Sequence, residues 1–173
     1  MEMITSLDQL DKTKIYSYAD YLTWQFSERV ELLWGHIRLM AAPAPKHQRI
    51  SFNLSRELGN FFYKKLCRVY YAPFDVKLYN QAKSILAEKD VYSVVQPDIC
   101  VICDETKIDN KGCNGSPDWI IEILSQNNQK TDLKDKYKLY KENGVLEYWI
   151  VYPNDAVIHQ FVLKDDKYYP HGV

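Results

Sequence analysis

The run Trp119-Ile120-Ile121-Glu122-Ile123-Leu124 sets one carboxylate among five apolar residues. An apolar run this short, with Ser116-Pro117-Asp118 before it and Ser125-Gln126-Asn127-Asn128 after it, reads as a strand covered on both faces. The rest of the chain must therefore supply a layer on each side of it. An ionised Glu122 in that setting loses its hydration, a cost of several kcal/mol even after relaxation. A lysine or arginine, a proton or a metal ion must compensate it.

The chain has material for those layers. Its 173 residues, 46% of them hydrophobic and 14 of them tyrosine, suit a single domain over residues 1–173 with a sizeable core, and exclude global disorder. A formal net charge of −1 argues against gripping nucleic acid through overall charge, so any such contact needs a local basic face. No apolar stretch approaches the ~20 residues of a membrane span. The first residues carry acid where a secretory signal carries base, which predicts a cytoplasmic protein. Cys100 and Cys103 are spaced Cys-x-x-Cys, but in the strand-like run "DICVIC" an offset of three sends them to opposite faces. With no second pair to complete a zinc site, these two, Cys67 and Cys113 are expected to be four reduced, mostly buried thiols.

Local patterns predict the order of elements. Ser17 and Asp20 resemble a capping box for a short helix through Phe26. "ERVELLWGHIRLMA" reads as a hairpin around Gly35. From His47 to about Leu66 the spacing is helical, with Ile50, Leu54, Leu58 and Phe61 on one face. "YAPFDVKLY" alternates as a strand that turns Phe74, Val76 and Leu78 one way and Asp75 and Lys77 the other, with Asp75 expected as a surface acid. A loop over 81–92 leads to "VVQPDICVI", a strand interrupted at Pro97. A turn-rich loop through Gly112 and Gly115 precedes the Glu122 run, and a helix from about Thr131 to Glu142 ends at Asn143-Gly144. "EYWIVY" and "AVIHQFVL" then form a hairpin, and the final residues enter a further strand or its loop. Together these predict an α/β sheet domain.

Within it, Asp98 stands directly after Pro97 and is, like Glu122, embedded in apolar sequence. If the two strands are neighbours, the carboxylates meet, and two such ligands with a backbone carbonyl and water suit Mg²⁺; the structural alternative is that Asp98 caps a turn beside Pro97 and Glu122 pairs with a core lysine. Projected at 100° per residue, the helix after Glu122 turns Leu133, Tyr137 and Tyr140 inward. Of its lysines only Lys136 points at the sheet. Lys136 would orient or deprotonate an attacking water, or stabilise charge on a phosphate; the pattern equally allows a salt bridge to Asp132 or Glu122 that closes the core. Glu31 is a candidate further ligand or an ordinary strand position, and His47 a phosphate contact or a capping histidine. Asp132 and Tyr140 are placed to fix the Lys136 rotamer.

The segments "ERVELLWGHIRLMAAPAPKHQRI", "APFDVKL", "QPDICVICDETKID" and "KGCNGSPDWIIEILSQNNQKTDLKDKYKLYKENGVLEYWIVYP" together resemble the Uma2 (DUF820-type) family of the PD-(D/E)xK nuclease superfamily, over about Glu28 to Leu163. The resemblance implies a restriction-endonuclease-like mixed β-sheet core flanked by helices, with the N-terminal helix and hairpin added. It also implies Mg²⁺ dependence, with Mn²⁺ as a substitute, and hydrolysis of DNA phosphodiester bonds by an endonuclease. Asp98 would be the acid of the "PD" element and Glu122 that of the second. Two residues after Glu122, where the superfamily has lysine, this chain has Leu124, and the resemblance moves the lysine to Lys136 in the following helix. Lys64, Lys65, Arg68, Lys130 and Lys134 are basic positions that would hold DNA, or equally are ordinary solvated charges. A homodimer is expected because symmetric pairing is the commonest assembly. The alternative is a DNA- or protein-binding module that keeps the nuclease fold without catalysis.

Overall fold

The structure, a computed structural model, describes residues 3–79, 91–125 and 130–172, and the side chains of all of these except 130–132. The expected loop at 81–92 therefore lies outside the described residues except at its last two positions. Numbered in chain order, the strands fall into two mixed sheets. One contains β1 (Val30–Leu33), β2 (His36–Leu39), β4 (Val76–Leu78), β5 (Ser93–Val95), β7 (Ile108–Asp109) and β8 (Gly112–Asn114), in the order β2-β1-β5-β4-β8-β7. The other contains β3 (Arg68–Tyr71), β6 (Ile99–Ile102), β9 (Trp119–Ile123), β10 (Glu147–Tyr152), β11 (Val157–Lys164) and β12 (Lys167–Gly172), in the order β12-β11-β10-β9-β6-β3. Three α-helices are described: α1 (Tyr18–Tyr21), α2 (Pro45–Phe62) and α3 (Lys130–Glu142).

Pro97 explains the division. The run "VVQPDICVI" reads as one strand with a break, but the break changes sheets: β5 before it pairs with β1 and β4, and β6 after it pairs with β3 and β9. A proline cannot donate to a ladder, so pairing stops there and resumes with a new partner. The run "YAPFDVKLY" is divided in the same way, into β3 and β4, around the cis Ala72–Pro73 bond.

β9 is covered as its sequence requires. It runs antiparallel to β6 and parallel to β10. Ile120 turns into a core shared with Leu139 and Tyr140 of α3. Ile121 and Ile123 turn the other way, onto Ile50, Leu54 and Leu58 of α2. Burying each isoleucine contributes about 1.5–3 kcal/mol, so three of them in one strand outweigh the cost of one well-paired carboxylate among them.

Several local expectations hold and others change. The Ser17–Asp20 capping box forms, with reciprocal bonds of 2.8 and 3.3 Å, although α1 ends at Tyr21 rather than Phe26. Trp34 and Gly35, both at positive φ, turn the β1–β2 hairpin. Phe61 has the right angular position, but α2 stops at Phe62, and its ring is 61% exposed with the Lys65 ammonium over it. The turn-rich loop before β9 contains the β7–β8 hairpin. Gly112, at φ +117°, allows it, because a Cβ there would collide with the Asp75 carbonyl that accepts from Cys113 N.

Two cysteines are not thiols. Arg68 pairs with Ile102 across β3 and β6, so Cys67 and Cys103 lie one step further along the same register, with Cα atoms 3.9 Å apart, and they form a disulfide. The odd offset that separates Cys103 from Cys100 is what turns it toward Cys67. Cys100 and Cys113 are free and buried, as expected. Among the described residues no helix is long and apolar enough to cross a membrane.

Lys77, on the face of β4 opposite Val76 and Leu78, is 4% exposed and pairs with Asp109 at 3.0 Å. Burial acts to raise the Asp109 carboxyl, but bonds from Asn114, Lys77 and Lys111 N outweigh it and bring the pKa down to about 2. Asp109→Asn is expected to destabilise the fold by about 1–2 kcal/mol in urea titrations, less than a fully buried pair because Asp109 is half in solvent. A folded-state pKa below the unfolded value means stability that is present above about pH 4 and lost as pH falls toward 2. The variant should lack that acid limb.

Candidate active site

Three elements bring charge to one place. β1 supplies Glu31, β9 supplies Glu122 and α3 supplies Lys136; they are 3%, 6% and 6% exposed. Lys136 Nζ donates to Glu122 Oε1 at 3.0 Å and reaches both oxygens of Glu31, at 3.1 and 3.0 Å. The Tyr140 hydroxyl donates to Glu122 Oε1 at 2.5 Å, and the backbone N–H of Gln96 donates to Glu31 Oε1 at 2.8 Å. Lys136 and Tyr140 are four residues apart, so α3 presents both to the same carboxylate. The ammonium and the hydroxyl are the compensation that the sequence of β9 demands.

Asp98 is the residue just before β6. Ile99 faces Ile121 across the two strands, which places Asp98 opposite Glu122 one step beyond the ladder. Asp98 Oδ2 accepts from Ile123 N at 2.7 Å and lies 3.1 Å from His47 Nε2 on the first turns of α2. Burial is the largest influence on Glu122 and raises its pKa; Lys136 opposes this, and the charges of Asp98 and Glu31 add to it. His47 is raised too, chiefly by its hydrogen bond to Asp98, while its Nδ1 is buried with no partner among the described residues.

Glu31, His47, Asp98, Glu122 and Lys136 all line one cleft of about 1070 Å³. Tyr140 stands behind Glu122, where it holds the carboxylate and not the lysine. Asp132 belongs to α3, but its side chain lies outside the described residues, as does that of Lys130. Lys64, Lys65, Arg68 and Lys134 are not among the residues that line the cleft; Lys64 and Lys65 lie over the rings of Tyr63 and Phe61, and Arg68 pairs with Glu105. Among the described residues, the basic side chains lining the cleft besides Lys136 and the His47 imidazole are Arg29, Arg38 and Arg56, none of which the sequence patterns single out.

Among the described residues no three Asp, Glu, His or Cys groups converge as a metal-ligand set. Glu31 is held by Lys136 and by the Gln96 N–H. Asp98 and Glu122 still form a donor pair. Each commits one oxygen to hydrogen bonds, and among the described residues Asp98 Oδ1 and Glu122 Oε2 accept none. Two carboxylates on the wall of one cleft, each with an oxygen that accepts no hydrogen bond among the described residues, fit a small hard cation that keeps most of its water.

A family model described as "Putative restriction endonuclease", Uma2, matches residues 18–173. The chain belongs to the Uma2 family. A solved structure described as "Crystal structure of a putative nuclease belonging to DUF820 from Anabaena variabilis ATCC 29413" superposes on it with a TM-score of 0.70 at 16% identity, over 91% of this chain and 84% of that one. That likeness establishes a shared fold. Two Synechocystis sp. (strain PCC 6803) relatives, "Uncharacterized protein sll1609" and "Uncharacterized protein slr1290", are 28% and 23% identical. They align over 92% and 87% of this chain and 84% and 75% of their own.

In this Uma2 chain, Leu124, at the position where the resemblance leads one to expect a lysine, packs at the edge of the core, with its N–H on Val151 O at 3.0 Å. Lys136 brings an ammonium to the carboxylates from the next helix. The sequence patterns also pass over Gln96. An amide next to an apolar strand and directly before Pro97-Asp98 was the available signal. They misplace Asp75 as well: it is half-buried and accepts from Gln96 Nε2 at 2.8 Å. Between Phe74 and Val76 it shows the alternation of an outward residue, but the face opposite Val76 is covered by the N-terminal segment, with Tyr18 and Tyr21 over it.

Lys136→Met would leave two buried carboxylates without their cation. The expected loss is about 3–5 kcal/mol of unfolding free energy near pH 8, measured in urea. The loss should shrink toward pH 5, because a carboxyl with a raised folded-state pKa loses stability as pH rises through the carboxylate range and beyond. An equal loss at both pH values would mean that the carboxylates stay ionised without the lysine.

Proposed function

We propose that this Uma2 protein is a magnesium-dependent endonuclease that hydrolyses DNA phosphodiester bonds, with Asp98 and Glu122 as the metal-holding pair and Lys136 as the cation beside them. The observation that carries this reading is the convergence of two acids and one lysine from three elements at the wall of an open cleft. The descriptions of the family and of the structural neighbour, as restriction endonuclease and nuclease, support the same chemistry. Mg²⁺ prefers one or two carboxylates with water and phosphate oxygens in its remaining positions, and Mn²⁺ would substitute. Bound there, the metal would supply an activated water and offset the charge of the phosphate in the transition state.

The protein's own groups have separate tasks. The Ile123 N–H and His47 hold one oxygen of Asp98, and the other accepts no hydrogen bond among the described residues. Tyr140 and Lys136 hold Glu122 by a single oxygen in the same way. Glu31 anchors Lys136 from the opposite side, so the ammonium stays beside the carboxylates, where it can orient a water or stabilise charge on a phosphate oxygen.

Asp98→Ala should lower Mg²⁺-dependent nicking of supercoiled plasmid by at least about 100-fold, the scale expected when a group that positions the reacting water is removed. Mn²⁺ titrations in a calorimeter should show heat for the native protein and none for the variant, with circular dichroism unchanged. Undiminished cleavage by a folded Asp98→Ala protein would sink the proposal. A native protein that binds DNA but takes up neither Mg²⁺ nor Mn²⁺ at millimolar concentration would favour the non-catalytic binding module.

A further inference from the structure

Arg29 is half-buried on the wall of the cleft, just ahead of β1, and it is held unlike the other two arginines there. Arg38 is paired with Asp135 at 3.2 Å and Arg56 with Glu57 at 2.7 Å. Arg29 has no carboxylate within ion-pair distance among the described residues; its Nε and Nη2 both donate to the side-chain oxygen of Gln96, at 3.1 and 2.6 Å. Gln96 is 9% exposed and cannot turn round. A guanidinium only donates, so the amide must show it oxygen, and the amide nitrogen is then left for Asp75 Oδ1 at 2.8 Å, with the Tyr21 hydroxyl at 3.4 Å.

The consequence is electrostatic. An acid in the place of Gln96 would aim the guanidinium and cancel its charge together. A neutral amide fixes the orientation and leaves the charge in force. Asp75 feels Arg29 only through space, on the far side of that amide. A half-buried cation with no carboxylate in ion-pair distance among the described residues is costly to fold, which is the same kind of penalty that Glu122 carries before Lys136 meets it. Gln96 is also the residue whose backbone N–H holds Glu31 and whose next neighbour but one is Asp98. The arginine is thus aimed from the same short turn that places the acids.

We infer that Arg29 is the residue that takes a substrate phosphate in this cleft, a positioning contact for the DNA strand, with Gln96 as its holder and Asp75 as the group that fixes Gln96. The inference rests on the nuclease reading above. It assigns to Arg29 the bidentate recognition for which a guanidinium is suited and a lysine is not.

The test is binding of a fluorescein-labelled DNA duplex, read by anisotropy in EDTA across a salt series, so that neither metal nor cleavage enters. Arg29→Met is expected to weaken binding by about 10- to 100-fold and to lower the slope of log affinity against log salt by about 0.9, the contribution of one phosphate. Arg29→Lys should keep the slope and still bind more weakly, and it carries the test if the methionine variant does not fold. Gln96→Met, with Arg29 intact but no longer aimed, should weaken binding with little change of slope. A folded Arg29→Met protein with native affinity and slope overturns the inference. So does one whose only change is a lower thermal midpoint, since that marks a structural arginine. If Arg29→Met binds normally while Asp98→Ala abolishes cleavage, this inference falls and the nuclease reading stands. A native protein with no affinity for DNA overturns both.

Discussion

The buried ammonium of Lys136 between Glu31 and Glu122 is the interaction on which the rest of the molecule depends. It joins three elements that have no ladder in common: β1 of one sheet, β9 of the other and the helix α3. Each of the three ions has given up its hydration, and a pair so buried often contributes little net stability compared with apolar residues of the same size. What it does instead is specify. β9 can sit at only one height against α3, because any slip would leave a carboxylate facing hydrocarbon. Tyr140 and the Gln96 N–H reinforce this by filling the same carboxylate oxygens from either side.

The turn at Gln96-Pro97-Asp98 is the second organising feature. The chain leaves one sheet at Val95 and enters the other at Ile99. Over that short distance Gln96 N binds Glu31, its side chain links Arg29 to Asp75, and Asp98 binds Ile123 N and His47. The proline ends one ladder, and the residues on either side of it, released from pairing, turn their polar groups to the cleft. A change of sheet partner and a concentration of polar contacts are the same event here.

The site was legible in the sequence where a polar group violated an apolar pattern. Glu122 inside an isoleucine run, Asp98 beside Pro97 and Lys136 on the inward half of its helix all show such conflicts, and all three line the cleft. Gln96 belongs to the same kind of conflict, but an uncharged amide costs less to bury and so stands out less. Arg29 was not legible, since a cation beside Glu28 near a strand end looks like any exposed charge. The surface lysines stand out only for being basic, and density of charge along the chain says nothing of which wall they occupy. The Cys67–Cys103 disulfide escaped for the same reason, as its 36-residue separation is closed only by the pairing of β3 with β6.

The sequence by itself determined the local matters: a doubly covered β9, the hairpin at Gly35, the amphipathic helices α2 and α3, and the need for a counter-charge at Glu122. These follow from periodicity and solvation, which act over a few residues. Tertiary structure alone decided that the strands form two sheets rather than one, that Glu31 shares the lysine with Glu122, and that an amide holds Arg29 at the wall of the cleft. Those outcomes depend on which distant segments meet. A pairing register between strands far apart in the chain leaves no periodic mark on either of them.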